Sequence, residues 1–231
     1  MAAQQQNLDT IADDLANADV TAFKGSAQRF AELTAPGESG LGTIALGPHV
    51  LLTQGKLERS GGAFDLAIDG PGFFVVRDAH GRRCYTRDGA FERASDGTLR
   101  IAQGPRLDGI TVPPDALSLR VAENGTVRAT FANGSRDLGR VRIALFPAPD
   151  RLRNTGGALF TATPEAGRPR LVAPGSENGP TLRFGMLERS NVSIVAAMMQ
   201  ILSAQRAYEA NAKGVQAADE MLRIANNLQR T

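Results

Sequence analysis

Between residues 185 and 230 the apolar positions recur in steps of three and four: Ile194, Ala197, Ile201, Ala204, Tyr208, Asn211, Val215, Ala218, Leu222 and Ala225. Only Asn211 breaks the apolar character of this series, and the spacing keeps the whole series on one face of a helix. No proline interrupts the run, and Ser190 and Asn191 stand where an N-cap belongs. The expected helix is about 35 residues and about 50 Å long. A heptad seam of that length needs partner helices, and a polar Asn within such a seam fixes register at a cost in stability. A shorter seam of the same kind opens the chain: Met1, Gln4, Leu8, Ile11, Leu15 and Ala18, with Asp13 and Asp14 opposite it and expected to face solvent. After Thr21 the pattern fades, leaving Phe23 as an isolated apolar anchor.

The middle of the chain changes period. Short runs with strand character occur at Phe64 to Ile68, Phe73 to Arg77, Arg82 to Thr86, Thr98 to Ile101, Leu117 to Val121, Thr126 to Phe131 and Val141 to Phe146. Between them lie the turn pairs Asp69-Gly70, His80-Gly81, Asp88-Gly89, Asp96-Gly97, Asn124-Gly125 and Asn133-Gly134. All 12 prolines and 23 of the 25 glycines fall between Pro36 and Gly185, so the ends are helix-permissive and the middle is turn-rich. The fold class expected is mostly β with long terminal α-helices, an antiparallel β domain inserted between N- and C-terminal coiled-coil-type helices. The boundaries expected are an N-terminal helical segment over 1–34, an extended connector over 35–62, a β-rich domain over 63–185 and the long helix over 186–231. Arg151 to Pro180 reads as irregular.

Composition narrows the function. A net charge of +2 with the arginines scattered along the chain gives no electrostatic case for nucleic acid or an anionic membrane. No apolar run approaches the roughly 20 residues of a membrane helix, so direct membrane insertion is not expected. The first six residues lack the basic and apolar regions of a cleaved secretory signal. Cys84 is the single cysteine and reads as a buried structural thiol. His49 and His80 are in no metal-ligand spacing, and no metal or cofactor is expected. Asp65, Asp69 and Asp88 suggest a paired-carboxylate hydrolase, but all three lie among turn glycines, where Asp bonds the local backbone. Gly70-Pro71-Gly72 is followed by Phe73 and Phe74 rather than by a helix, so it is no phosphate loop. The reading is a non-enzyme.

The motifs Leu8-Asp9-x-Ile11-Ala12-x-x-Leu15-Ala16-Asn17 and Thr21-Ala22-Phe23-Lys24 resemble the N-terminal signature of bacterial flagellar rod and hook proteins. The blocks Asp65 to Phe74 and Tyr85 to Phe91 resemble that family's central motifs. Leu187 to Val192, Gln205 to Lys213 and Ala218 to Leu222 resemble its C-terminal signature, most like the distal-rod members. A proximal-rod or hook-type paralogue is the near alternative, and a coiled-coil-tethered β-sandwich binding module the distant one. The resemblance implies a structural subunit, exported unfolded by the flagellar export apparatus and polymerising with itself and with neighbouring rod and hook proteins. The product is a hollow torque-transmitting tube in the basal body, with terminal helices inside and the β domain outside. The interface expected between subunits comprises Leu8, Ile11, Leu15, Asn17, Phe23, Ile194, Ile201, Tyr208, Asn211, Val215 and Leu222. Three departures stand out: Asp13-Asp14 where the family usually has Asn-Asn, Ala22 where it has glycine, and a first residue about a dozen positions inside the family's usual start. The short N-terminal seam facing the longer C-terminal one leaves apolar surface without a partner, so either the natural product is expected to begin upstream of Met1 or a turn of the C-terminal helix is expected to pack on another subunit.

Overall fold

The structure is a computed structural model describing residues 2–32, 43–102, 104–176 and 179–228. Met1, the start of the expected connector (35–42) and the last three residues of the long-helix stretch lie outside the described residues. The protein is mostly β, with a helix near each end, and its described residues form two compact units.

The first unit takes the described residues of Met1–Ala16, Ser26–His49 and Val192–Thr231. Helix α1 (Ala2–Ala16) packs against helix α2 (Ile194–Leu228) and buries Ile11. The α2 side of that contact is alanine: Ala197 and Ala204 are 5% and 6% exposed. Small side chains let the two helix axes approach closely. The N-cap of α2 is Ser193, not Ser190 or Asn191. Its carbonyl accepts the Ala197 N–H at 2.8 Å, and its hydroxyl receives the Ala196 N–H at 3.4 Å. Asn191 is occupied elsewhere, as described below.

The helical reading of the first 34 residues holds only to Ala16. Ser26–Glu32 is a strand paired with a second one, Thr43–Val50. The His49 ring bonds the Ala27 carbonyl across this ribbon at 3.0 Å. Gly47 and Pro48 had masked the second strand, because both are rare in sheet interiors; in a two-stranded ribbon every position is an edge. Asp14 does not simply face solvent. Both its carboxylate oxygens accept the Ser26 N–H, at 3.0 and 2.9 Å, tying the end of α1 to the start of the ribbon. Burial is the main cause that raises its pKa, with the neighbouring Asp13 adding to it and the Ser26 bond opposing.

The second unit takes Asn17–Gly25 and the described residues of Val50–Asn191. Its main sheet is antiparallel and runs, in spatial order, Arg153–Gly156, Leu159–Thr161, Arg83–Thr86, Phe73–Arg77, Arg106–Thr111, Thr98–Arg100 and Glu92–Arg93. Ile143–Leu145 also pairs with Phe73–Arg77, and on its other side with Arg170–Val172. A three-stranded meander (Ser118–Val121, Thr126–Phe131, Gly134–Arg140) and two antiparallel pairs complete the unit. The pairs are Leu66–Asp69 with Thr181–Phe184 and Leu57–Arg59 with Met186–Glu188.

The strand Phe73–Arg77 is apolar on both faces because it separates two cores. Phe74 and Val76 join Leu66, Ile68, Phe91, Ile110, Val127 and Ile143 on one side. Phe73 and Val75 join Tyr85, Leu152 and Phe160 on the other, with edge-on ring contacts at 5.6 Å for Phe73–Phe160 and 4.8 Å for Tyr85–Phe146. Cys84 is buried on the first side, and desolvation pushes its thiol pKa up. The stretch 151–180, read as irregular, contains three strands of three or four residues, too short to show a period.

Candidate functional site

Three charged side chains meet in the interior of the second unit. Glu188, fully buried, ends the strand Met186–Glu188, and one of its carboxylate oxygens receives Lys24 Nζ at 2.5 Å and the Gly55 N–H at 2.8 Å. Its other oxygen receives Arg87 Nε at 2.9 Å. Lys24 also donates to the Thr53 carbonyl at 2.8 Å. Arg87 uses one terminal nitrogen for the carbonyls of Gly70 and Gly72, each at 2.8 Å. Two cations against one carboxylate leave a positive charge away from water, and the backbone carbonyls are what stabilise it. Desolvation lowers the Lys24 pKa, and the Glu188 carboxylate opposes that shift.

This charged knot joins the segment by which the chain enters the unit to the segment by which it leaves. Ala22 N–H donates to the Glu188 carbonyl at 2.8 Å. The Asn191 side chain accepts the Gly25 N–H at 2.9 Å and donates to the Leu51 and Thr53 carbonyls at 2.7 and 3.1 Å. Geometry of this kind fixes the position of the two segments. Ala22 itself has φ +56°, the one positive value among described non-glycine residues. A turn in the left-handed region, which favours glycine, is therefore kept here in an alanine, at a steric cost of about 1–2 kcal/mol.

The three aspartates of the hydrolase reading lie apart in role. Asp88 accepts the Ala90 N–H at 3.0 Å, a local turn bond as expected. Burial pushes its pKa up to about 6, with the Asp65 charge contributing. The following Gly89 lies so close to the Leu66 carbonyl that a Cβ there would stand 1.6 Å from its oxygen. Asp69, contrary to the turn reading, is held by Arg183 at 3.2 Å across the neighbouring strand. Asp65 is buried against Gly62.

The residues of the expected subunit interface divide sharply. Ile11 and Phe23 are buried, and Leu8, Leu15, Asn17 and Ile201 are half-buried. Phe23 is 5% exposed, leaving little surface for a partner. Ile194, Tyr208, Asn211, Val215 and Leu222 are exposed. Beyond Ala212 every α2 side chain described, 213–225, is exposed, including Val215, Met221, Leu222 and Ile224. Nothing in the described chain covers that part of the seam.

Comparison with known proteins decides the family. Residues 67–129 match the profile described as flagellar hook protein FlgE/F/G D1 domain, and 184–228 match that of the flagellar basal body rod FlgEFG protein C-terminal. The chain is 37% identical to the flagellar basal-body rod protein FlgG of Borreliella burgdorferi, covering 100% of this chain and 96% of that one. It is 33% identical to the FlgG of Agrobacterium fabrum, with 98% and 95% covered. The chain belongs to the FlgG family of flagellar basal-body rod proteins.

With FlgG membership established, four of the seven signature blocks acquire a common physical role. Thr21–Lys24 supplies Lys24, the central blocks supply the Gly70 and Gly72 carbonyls and Arg87, and the block from Leu187 supplies Glu188. The sequence reading quoted these residues inside motifs and gave none of them a role. No local pattern marks them, because Lys24 and Glu188 are separated by 164 positions.

Proposed function

We propose that this structural subunit of the bacterial flagellar rod polymerises through its terminal helices into a hollow, torque-transmitting axial tube, as a distal-rod component. The observation that carries the assembly reading is the bare apolar stretch of α2 beyond Ala212. A long helix with exposed Val215, Leu222 and Ile224 is stable only when another surface covers it. Head-to-tail, non-closing contacts between identical subunits satisfy such seams and generate a helical tube. The FlgG similarity and the C-terminal signature support the distal position. Neighbouring rod and hook proteins are the natural partners of the polymer ends. Export by the flagellar apparatus without a cleaved signal follows from the family reading, and no described helix is long and apolar enough to cross a membrane. The role is structural, in keeping with the rod-protein names of the relatives.

Leu222→Asp tests the assembly reading. Leu222 is 63% exposed, so the isolated subunit tolerates the change. In a polymer the carboxylate is buried, at a cost of several kcal/mol per contact. The expected outcome is a subunit with unaltered melting behaviour that forms no rods and leaves cells non-motile. Normal rods built from this variant would remove the α2 seam from the assembly interface. Immunogold labelling of purified basal bodies fixes the position along the rod.

A further inference from the structure

The arginines that are scattered in sequence are not scattered in the second unit. Arg83 lies opposite Arg77, Arg77 opposite Arg106, and Arg106 opposite Arg100, so four arginines stand in one row across four adjacent strands. Like charges directly opposite one another in a sheet are destabilising. Two of the four are relieved: Arg77 donates to both oxygens of Asp108, at 2.7 and 3.3 Å, and Arg100 to Asp96 at 2.7 Å. Arg83 and Arg106 have no carboxylate partner among the described residues.

Beside this row the sheet forks. Strand Phe73–Arg77 pairs along one edge first with Ile143–Leu145, through Phe73 and Phe74, and then with Arg106–Thr111, through Val76 and Arg77. Val75 stands at the fork. A groove of about 600 Å³ opens there, lined by Val75, Arg83, Asp108, Arg140, Arg142 and Leu171. Its acidic member, Asp108, is committed to Arg77. Arg83, Arg140 and Arg142 are exposed and, among the described residues, unpaired. The groove also offers Leu171, 37% exposed, and among the described residues the strand Arg170–Val172 pairs on one side only.

We infer that this forked groove is a docking site for an extended acidic peptide segment of a partner protein. Three uncompensated guanidiniums around one groove call for carboxylates, which they hold in two-pronged hydrogen bonds. The apolar patch at Leu171 and the open strand edge favour a peptide over a free anion or a bare polyanion, because they add a side-chain contact and backbone donors and acceptors. The placement is a property of the folded unit and does not depend on the polymer reading.

The test uses the full-length subunit and a fluorescein-labelled peptide of sequence Glu-Leu-Glu-Leu-Glu, followed by polarisation. Binding that weakens steeply with added salt is expected. Arg83→Gln, Arg140→Gln and Arg142→Gln together should weaken it about tenfold or more, whereas Arg120→Gln, on the meander, should leave it unchanged. All of these arginines are exposed, so the variants should melt with the wild type; if the triple variant does not, Arg140→Gln alone is read in its place. No binding, equal loss with Arg120→Gln, or equal binding of the Gln-Leu-Gln-Leu-Gln peptide overturns the proposal. So does displacement of the peptide by pyrophosphate or by anionic vesicles at lower concentration than by unlabelled peptide.

Discussion

Glu188 decides more of the second unit than any other single side chain. Replacing it with alanine leaves Lys24 and Arg87 buried together without a counter-charge. Breaking a buried pair by removing one partner typically costs 3–5 kcal/mol, and here two cations lose it at once. Urea unfolding of Glu188→Ala should show a loss of at least that size, while Lys24→Met, which leaves the Arg87–Glu188 pair intact, should cost less. Equal costs would mean that the two cations do not share one anion in the way the distances indicate. Asp88 sets a pH dependence of opposite character to an ordinary ion pair. The folded protein holds its proton to about pH 6, whereas an unfolded aspartate releases it near its ordinary value of 3.8. Stability contributed by the protonated form is present below about pH 4 and lost as the pH rises to about 6. Asp88→Asn keeps an acceptor for the Ala90 N–H and removes this loss. Its melting temperature should exceed that of the wild type at pH 7 and approach it near pH 4, and a gap independent of pH would refute the assignment.

At the scale of elements, α2 is two helices in one. Its first turns are paired through Ala197 and Ala204, and its remainder is bare. Hydrogen exchange of the free subunit should be slow near Ala204 and fast beyond Ala212, with protection extending along the helix on assembly. Gly214 sits in the bare part, and a Cβ there would meet nothing within 4 Å. Gly214→Ala should therefore raise the helicity of the free subunit, by about 1 kcal/mol in local stability. If glycine is there to admit a closely packed helix from another subunit, the same change should slow polymerisation, as measured by light scattering. Ile201 shows why position along the helix matters: it is half-buried, so aspartate there injures the subunit as well as any interface, and Leu222 gives the cleaner experiment. The elements were legible where period and length were on their side. The 35-residue helix and the strand at Thr126–Phe131 follow from periodicity, and Phe73–Arg77 from a continuous apolar run bounded by turn glycines. The strands within 151–172 and the ribbon at 26–50 did not, because a strand of three residues, or one carrying Gly47-Pro48, gives no local pattern.

For the whole molecule the limit of legibility is sequence distance. The FlgG signature blocks could be recognised one at a time, but not that two of them bring cations to a carboxylate carried by a third. Nor could the sequence show that arginines from separate strands gather around one groove, since register, not spacing, brings them together. The knot also governs when the second unit can close. Lys24 is among the earliest residues of the chain and Glu188 among the last of the unit, so a chain that emerges progressively, from its N-terminus, presents Lys24 and Arg87 long before their anion arrives. Until then, burying either cation is unfavourable and the partly emerged unit stays open. Truncation just before Glu188 should accordingly leave a protease-sensitive, expanded chain, whereas truncation after Asn191 should leave a resistant one. The carboxylate that ties the finished unit together thus makes closure of the unit wait for its last strand, so that a chain lacking residue 188 has no counter-charge to close upon.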